Sequence, residues 1–304
     1  MDRDLRTVRC NETLAAVSGA PKEELLGRTV AEAVPQLWPK LESVFRRVLD
    51  TGAEVVNLEV VGESAEDPGR THHWLASYYP VPLAEEIIGV GIVVVDITER
   101  REAQQAQDDL MRSAIAAIAA TIEARDPYTA GHEQRVAAIA GAIATEMGLD
   151  AGTADGIELA ATIHDIGKIA VPSDILVRPG PLQPAEFELV KTHSRAGHDI
   201  VAGIAFPWPV AEMILQHHER LNGTGYPGGL RGDEILIGAR IIAVADVVEA
   251  MGSHRPYRPS RGLRRALEEI EKGRGTLFDT DVADLCIRLF REGRLPLEDQ
   301  AQPA

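Results

Sequence analysis

Aromatic side chains and positive charge are both scarce in this chain. Aromatic residues make up 4% of the 304 residues, and the formal net charge at pH 7 is −16. A negative chain that has no basic stripe with interleaved aromatic residues is unsuited to a long phosphate backbone. We therefore expect no nucleic-acid polymer as a partner, although a small anionic ligand could bind where positive charge is concentrated locally.

Cysteines and long apolar runs are also few. The two cysteines, Cys10 and Cys286, lie far apart in the sequence, which argues against a structural disulfide and favours a reducing compartment. The amino terminus lacks the basic and then apolar pattern of a signal peptide, and no run approaches the roughly 18 apolar residues of a membrane span. These absences predict a cytoplasmic protein with no membrane association.

The length suits two domains, and the first of them has an α+β pattern. Upstream helical spacing is followed by three strand-like segments, which predict an antiparallel sheet with hairpin connections: Val55–Val61, Trp74–Val81 and Ile87–Val95. The last segment runs through Asp96–Arg100 into a polar helix. With these features, residues 1–100 resemble a PAS sensor domain whose first strand is short or truncated.

Residues 101–125 are predicted to form a linker helix that carries a signal out of this domain. Three- and four-residue steps build one apolar stripe along it: Leu110, Met111, Ala114, Ile115, Ile118 and Ile122. Such a stripe can pair with its counterpart in a second chain, which would make a homodimer. Alternatively, residues 110–125 pack only inside the following domain.

Residues 126–304 have an almost entirely helical pattern, broken by loops at 172–184 and 222–232, so the second domain is predicted to be an all-α bundle. Seven of the nine histidines fall after residue 130. Within the apolar segment around Ala160, His164, Asp165 and Lys168 would be costly to bury without partners, and a metal ion would supply one. Further candidates lie in similar settings: His132, His193, His217, His218 and Asp246.

Imidazole and carboxylate groups together suit divalent Mn, Fe or Zn, and the absence of cysteine among the candidates argues against a structural thiolate zinc site. Six or seven ligands are too many for one ion, so we predict two ions about 3.5–4 Å apart with a bridging carboxylate. Asp165 is the predicted bridge because His164 beside it can bind one ion directly. Lys168 lies on the same helical face and is placed to reach a bound phosphate, where it would neutralise charge or protonate the leaving oxygen.

These residues and the loop Gly225–Tyr226–Pro227 match the HD-GYP pattern in order and approximate spacing over residues 105–292. The resemblance implies a helical HD fold and hydrolysis of cyclic di-GMP to pGpG, GMP or both. It implies the following metal ligands: His132, His164, Asp165, His193, His217, His218 and Asp246. It also implies that Arg255 and Arg258 hold substrate phosphates together with Lys168, and that the Gly-Tyr-Pro loop borders the substrate site and contacts a signalling partner.

Three departures from the family pattern qualify this expectation. Family members that resemble a three-metal subtype have Glu where this chain has Tyr128, so two metal ions are expected here. We expect these ions to be Fe or Mn first, with Zn, Mg or Ni as alternatives. Asn222 and His254 replace residues that are usually Asp, and both bear on loop shape or affinity. Two other functions stay open: a receptor that binds cyclic di-GMP without turnover, and a phosphodiesterase for another cyclic dinucleotide such as cyclic GMP-AMP.

Overall fold

The computed structural model describes the whole chain except residues 65–66, 124–130, 179, 253–261 and 298–304. It divides into two compact units, Met1–Asp109 and Leu110–Ala304. The first unit is α+β and the described part of the second is helical, as predicted. Among the described residues, no helix is long and apolar enough to cross a lipid bilayer.

The first unit consists of four helices followed by a three-stranded antiparallel sheet in the order β1-β2-β3. The helices are α1 Glu12–Ser18, α2 Lys22–Leu25, α3 Val30–Ala33 and α4 Trp38–Thr51. The strands are β1 Val55–Glu63, β2 Thr71–Leu83 and β3 Glu86–Asp96. Each strand extends its predicted segment, so the predicted hairpin sheet is confirmed.

One face of this sheet forms the core of the first unit. Strand periodicity places Trp74, Ala76 and Tyr78 of β2 on the same face, and all three are buried. Helix α4 covers that face with Leu41, Phe45 and Val48, which its helical spacing brings into one stripe, also buried.

Helix α5, Thr98–Glu123, connects the two units. It begins directly after β3, where the Asp96 carboxylate accepts a hydrogen bond from the Thr98 N–H (2.8 Å) and so satisfies one free amide of the first turn. Near its other end, Ala119 and Ile122 are buried in the core of the second unit. Ile122, the last member of the predicted stripe, therefore packs within the second unit, while Leu110, Met111 and Ile118 are exposed.

The described residues of the second unit form eight further α-helices. Their bounds are α6 His132–Glu146, α7 Ala151–Thr162, α8 Ser173–Leu176, α9 Pro184–Val201, α10 Val210–Gln216, α11 Ile237–Gly252, α12 Leu263–Gly273 and α13 Thr280–Arg291. Two short 3-10 helices, Ile166–Ala170 and Gly232–Glu234, lie among them. The predicted loop at 172–184 thus contains the short helix α8.

Three helices, α6, α7 and α11, form the centre of this unit. Their buried side chains are mostly alanine, valine and isoleucine, and among the fully buried ones are Ile139, Ile143, Ile157, Ile241 and Ile242. Small residues let the helix axes approach closely, as where the Ile157 side chain lies against Gly238 of α11. This close-packed centre is the scaffold from which the polar residues of the candidate site project.

Candidate metal centre

His164 and Asp165 lie in a turn between α7 and the following 3-10 helix. We predicted one helical segment through Lys168, but α7 ends at Thr162 and a 3-10 helix begins at Ile166. The turn still keeps Lys168 on the same side as Asp165, because its Nζ lies 2.5 Å from Asp165 Oδ2. Asp165 and Lys168 therefore lie close together as predicted, but in a turn and a 3-10 helix and not in a continuous α-helix.

Gly167 allows this turn to contact the backbone of α9. A β-carbon at position 167 would lie 2.8 Å from the carbonyl carbon of His193, closer than real β-carbons approach such atoms. Only glycine fits this packing without a shift of backbone. The close approach holds His193 beside the turn, where its Nε2 lies 3.3 Å from Asp165 Oδ1.

The structure brings together all seven residues predicted as metal ligands. Six of them form two groups whose ligand atoms lie within 4.8 Å of one another: Asp165, His193, His217 and His218 in one, and His132, His164 and Asp165 in the other. Asp165 belongs to both groups. The seventh residue, Asp246 of α11, lies 3.3 Å from Nε2 of His132. The arrangement is thus a continuous, buried cluster that could bind metal.

Three of the histidine rings are held in the same tautomer by their own main chain. In each, Nδ1 lies within hydrogen-bonding distance of the carbonyl oxygen three residues earlier: His164 to Ala161 (2.7 Å), His193 to Val190 (2.6 Å) and His217 to Ile214 (2.6 Å). A carbonyl oxygen only accepts hydrogen bonds, so Nδ1 carries the proton. The other ring nitrogen, Nε2, faces the cluster, and in a neutral ring it carries the lone pair.

Among the described residues, the Nε2 atoms of these rings face one another or lack a hydrogen-bond partner. Nε2 of His193 and Nε2 of His217 lie 3.3 Å apart, and Nε2 of His164 is buried without a hydrogen-bond partner. Burial lowers the pKa of His193 and lowers that of His217 well below its ordinary value, so both rings are neutral at pH 7. Facing lone pairs in a buried site fit a bound cation, since a metal ion accepts both.

His132 is oriented by a carboxylate that the sequence analysis did not identify. Its Nδ1 donates to Glu249, a buried residue one helical turn after Asp246 on α11, and Arg135 donates to the other Glu249 oxygen (2.7 Å from Nε). Burial opposes protonation of His132, but the hydrogen bonds that its ring donates to Asp246 and Glu249 prevail and raise its pKa to about 9. A glutamate in an otherwise apolar helix, three residues after a candidate ligand, was the signal available in the sequence.

The two aspartates of the cluster are ionised despite their burial. Burial alone would raise the pKa of Asp165, but the Lys168 ammonium and the surrounding imidazoles hold it well below its ordinary value. Burial likewise opposes ionisation of Asp246, while its hydrogen bond with His132 and the charge of that ring hold the pKa well below its ordinary value. The site therefore offers anionic oxygens beside neutral nitrogens, a donor set that suits a divalent transition metal.

Glu219 attaches the Gly-Tyr-Pro loop to the histidine pair that precedes it. Its buried carboxylate accepts main-chain hydrogen bonds from three consecutive loop residues: Gly228 (2.6 Å), Gly229 (3.1 Å) and Leu230 (3.0 Å). The loop is thereby folded back so that the Tyr226 ring lies against His218, with centroids 4.7 Å apart. Sequence reasoning identified the loop but missed the residue that holds it.

The remaining predicted substrate contacts, Arg255 and Arg258, lie outside the described residues, as do Tyr128 and His254. The described basic residue at the centre is Lys168, whose side chain is mostly buried beside Asp165. Asn222 lies in the exposed turn of the Gly-Tyr-Pro loop, where its side-chain oxygen accepts from Thr224 N–H (3.1 Å). This contact lies within the loop, and the expected effect of Asn222 on loop shape or affinity stays a prediction.

Comparison with known proteins identifies the class to which this site belongs. Residues 117–282 match the HD domain family, and residues 1–102 match the PAS fold. The chain belongs to the HD domain family. The resemblance to HD-GYP proteins with an amino-terminal PAS-like domain, inferred from the sequence, is therefore confirmed.

The relatives of this chain are phosphodiesterases of cyclic dinucleotides. It is 43% identical over 172 residues to a cyclic di-GMP phosphodiesterase of Thermotoga maritima, a match covering 56% of this chain and 47% of that protein. It is 40% identical over 189 residues to the cyclic di-GMP phosphodiesterase response regulator RpfG of Xanthomonas campestris, covering 62% and 49%. A 3'3'-cGAMP-specific phosphodiesterase of Vibrio cholerae is 35% identical over 198 residues, covering 63% and 43%. The chain spans about half the length of these relatives.

Proposed function

We propose that this chain is a metal-dependent phosphodiesterase that hydrolyses cyclic di-GMP to pGpG, GMP or both. The observation that carries the proposal is the position of Asp165, whose carboxylate belongs to two groups of candidate ligands at once. A carboxylate shared between two sets of imidazoles is the arrangement that a two-metal hydrolytic centre requires. The names of the relatives supply the class of substrate.

The proposed cofactors are two divalent ions, Fe or Mn first, with Zn, Mg or Ni as alternatives. The residues that would hold them are His132, His164, Asp165, His193, His217, His218 and Asp246. Bound there, such ions would polarise a phosphodiester and generate a nucleophile from water at neutral pH. Neutral His193 and His217 and the ionised Asp165 and Asp246 already have the protonation states that metal binding needs. His132, whose pKa is raised to about 9, would release its proton on binding a metal.

Lys168 is the proposed catalytic and substrate-binding residue within the described cluster. Its ammonium lies 2.5 Å from Asp165 Oδ2 and is largely shielded from solvent. A positive charge in this position would stabilise charge that develops on a phosphate held by the proposed metal ions beside Asp165, or would donate a proton to the leaving oxygen. Arg255 and Arg258, by their resemblance to the family pattern, are also proposed to hold the substrate phosphates.

We further propose that residues 1–100 act as a sensor, residues 101–125 as a linker helix and residues 126–304 as the phosphodiesterase domain. Pairing of linker helices in a homodimer is supported by the exposure of Leu110, Met111 and Ile118 on α5. A signal that shifts these helices would alter the catalytic site. The Gly-Tyr-Pro loop is the proposed contact for a signalling partner.

Cyclic GMP-AMP is the competing substrate, because one group of relatives carries the name 3'3'-cGAMP-specific phosphodiesterase. The two cyclic dinucleotides differ in one purine base, whereas the metal centre contacts the phosphate that they share. Residues outside the metal cluster must therefore decide between them.

The decisive experiment is anaerobic incubation of the protein with Mn(II) or Fe(II) and either cyclic di-GMP or cyclic GMP-AMP, with linear products followed by chromatography. Asp165→Ala is the inactive control, and His198→Gln, which changes a histidine outside the cluster, is the matched active one. We expect pGpG or GMP from the wild type and from His198→Gln only. Tight binding of cyclic di-GMP without product under either metal would instead favour a receptor.

A further inference from the structure

Phe187 is an exposed aromatic side chain beside a buried polar centre. All five phenylalanines of the chain are described, and Phe187, with 45% of its surface accessible, is the only one that is exposed. It lies on α9, in the same helix as His193. Exposed apolar residues scattered singly need no explanation, but an aromatic ring next to the only buried histidine cluster in the described chain calls for one.

Two neighbours fix the position of this ring. The Tyr226 ring meets it edge to face, with centroids 6.4 Å apart and an angle of 84° between the planes. The Lys191 ammonium lies 5.0 Å from the Phe187 centroid and 5.6 Å from the Tyr226 centroid, within the range of cation–π attraction to both rings. Glu188 in turn holds the Lys191 ammonium at 2.7 Å. We call Phe187, Lys191 and Tyr226 the aromatic platform.

The aromatic platform is continuous with the metal centre. Tyr226 touches both, because its ring centroid lies 4.7 Å from that of His218 and 6.5 Å from that of His193. Phe187 is thus one ring further from the proposed metal ligands than Tyr226. A ligand whose phosphate binds at the metal centre would extend its sugar and base past Tyr226 towards Phe187.

Resting on the proposed function, we infer that Phe187 binds a purine base of the cyclic dinucleotide by stacking, with Lys191 and Tyr226 holding the ring in place. Every nucleobase has a flat π-face, and stacking on an aromatic side chain is a common way for a protein to bind an unpaired base. The exposed surface of Phe187 is available for this contact. The base stacks here while the phosphate binds at the metal centre, so Phe187 contributes to affinity and not to the chemical step.

Three variants separate this role from a structural one. Phe187→Ala removes the ring, Phe187→Trp retains an aromatic face, and Leu189→Ala removes an exposed apolar side chain of the same helix that is outside the aromatic platform. For each Mn(II)-loaded protein we would measure KM and kcat for cyclic di-GMP, the dissociation constant for its hydrolysis-resistant phosphorothioate analogue, and the inhibition constant for inorganic phosphate. Metal content and melting temperature report whether the fold is retained.

We expect Phe187→Ala to raise KM and the dissociation constant by about tenfold, as the loss of one base stack does, with kcat nearly unchanged. Phe187→Trp should restore both constants, and Leu189→Ala should leave them unchanged. Inhibition by inorganic phosphate should be unaffected, because phosphate has no base. The inference is overturned if Phe187→Ala binds the analogue as tightly as the wild type does, or if it loses phosphate inhibition to the same extent.

The same data distinguish the inference from the proposed function. A wild type that binds the analogue tightly but yields no product contradicts the phosphodiesterase, and the aromatic platform is then judged by the dissociation constants alone. A wild type that turns over cyclic di-GMP with a KM independent of Phe187 supports the phosphodiesterase and overturns the platform. A wild type that binds neither compound contradicts both.

Discussion

The Nε2 atoms of His193 and His217 face each other at 3.3 Å, and each ring donates its Nδ1–H to the main chain of its own helical turn. Neither ring can turn its proton towards the other without breaking a buried hydrogen bond. Two unprotonated nitrogens at this distance are therefore unfavourable unless a positive charge lies between or beside them. A divalent ion meets this requirement, and the behaviour of the metal-free protein becomes a direct test of the site.

The first prediction concerns stabilisation by metal. The folded site binds metal more tightly than the unfolded chain does. Mn(II) at about 100 times its dissociation constant should therefore stabilise the folded protein by about 2.7 kcal/mol. We expect a concentration-dependent rise in melting temperature when Mn(II) is added to chelator-treated protein. Calorimetric scans of wild type, His217→Gln and His198→Gln provide the measurement and its control.

His217→Gln should lose most of this rise, because it removes one of the two facing nitrogens. His198→Gln should keep it, since the His198 ring lies outside the cluster and contacts Asp199 (2.9 Å). An equal rise in all three proteins would show that the ion binds elsewhere.

The second prediction concerns the carboxylate that orients His132. Glu249→Gln keeps the shape of the side chain but removes the charge shared by His132 and Arg135. Loss of such an outer partner typically costs about 10–100-fold in metal affinity, and we expect a decrease in this range. Competition with a chromophoric chelator measures the affinity.

Glu146→Gln is the matched control for this substitution. Glu146 also accepts hydrogen bonds from two arginines, Arg288 and Arg294 (2.6 Å each), but these lie at the surface and away from the cluster. Its metal affinity should equal that of the wild type. If Glu249→Gln binds metal equally well, His132 does not depend on Glu249 for its orientation.

The sequence identified the residues that cluster in the structure but not the residues that orient them. His132, His164 and Asp165 stand out because imidazole and carboxylate groups in apolar surroundings need a partner. Glu249 contacts His132, which is 117 positions away in the sequence. Glu219 contacts loop residues 9 to 11 positions away. A glutamate is normally a surface residue, so only its burial in the folded chain reveals such a role.

The fold shows the same division between local and distant causes. The three strands follow from periodicity within short segments, and the structure places them as predicted. Periodicity does not predict the tight turn after Thr162. This turn depends on the contact of Gly167 with the backbone of His193, 26 positions further along the chain. Sequence periodicity gave no reason to end α7 before His164, and this tertiary contact supplies one.

The third prediction concerns the pH dependence of the metal-free protein. Burial lowers the pKa values of His193, His217 and His218, that of His218 from 6.5 to about 3. Below pH 6.5 the unfolded chain therefore binds more protons than the folded chain, and stability falls as the pH decreases. At pH 5 His218 alone should account for a loss of about 2 kcal/mol.

His132 has the opposite sign. Its folded pKa is raised to about 9, so its contribution to stability is complete below pH 6.5 and is lost as the pH rises towards 9. The metal-free protein should accordingly melt at its highest temperature near pH 6.5 and at lower temperatures on either side. Calorimetry between pH 5 and pH 9 tests this, and His218→Gln should flatten the acid side. A melting temperature that does not change between pH 5 and pH 6.5 would contradict the assignment of neutral rings.

The last prediction concerns the three hydrogen bonds that Glu219 accepts from Gly228, Gly229 and Leu230. Glu219→Gln replaces one charged acceptor oxygen by a donor amide, so at least one loop N–H loses its partner. Hydrogen bonds to a charged group contribute about 1.5–3 kcal/mol each, and we expect a loss of about 2–4 kcal/mol in free energy of unfolding. Urea denaturation measures this loss.

Amide hydrogen exchange locates the effect in the loop. In Glu219→Gln the amides of residues 228–230 should exchange faster, while those of α11 keep their protection, because the contact that is lost belongs to the loop alone. Glu234→Gln is the matched control, since the Glu234 carboxylate also accepts a loop N–H, from Arg231 (2.8 Å), but at an exposed position where water can replace it. Unchanged protection of residues 228–230 in Glu219→Gln would mean that the loop is held by Tyr226 against His218 and not by the carboxylate.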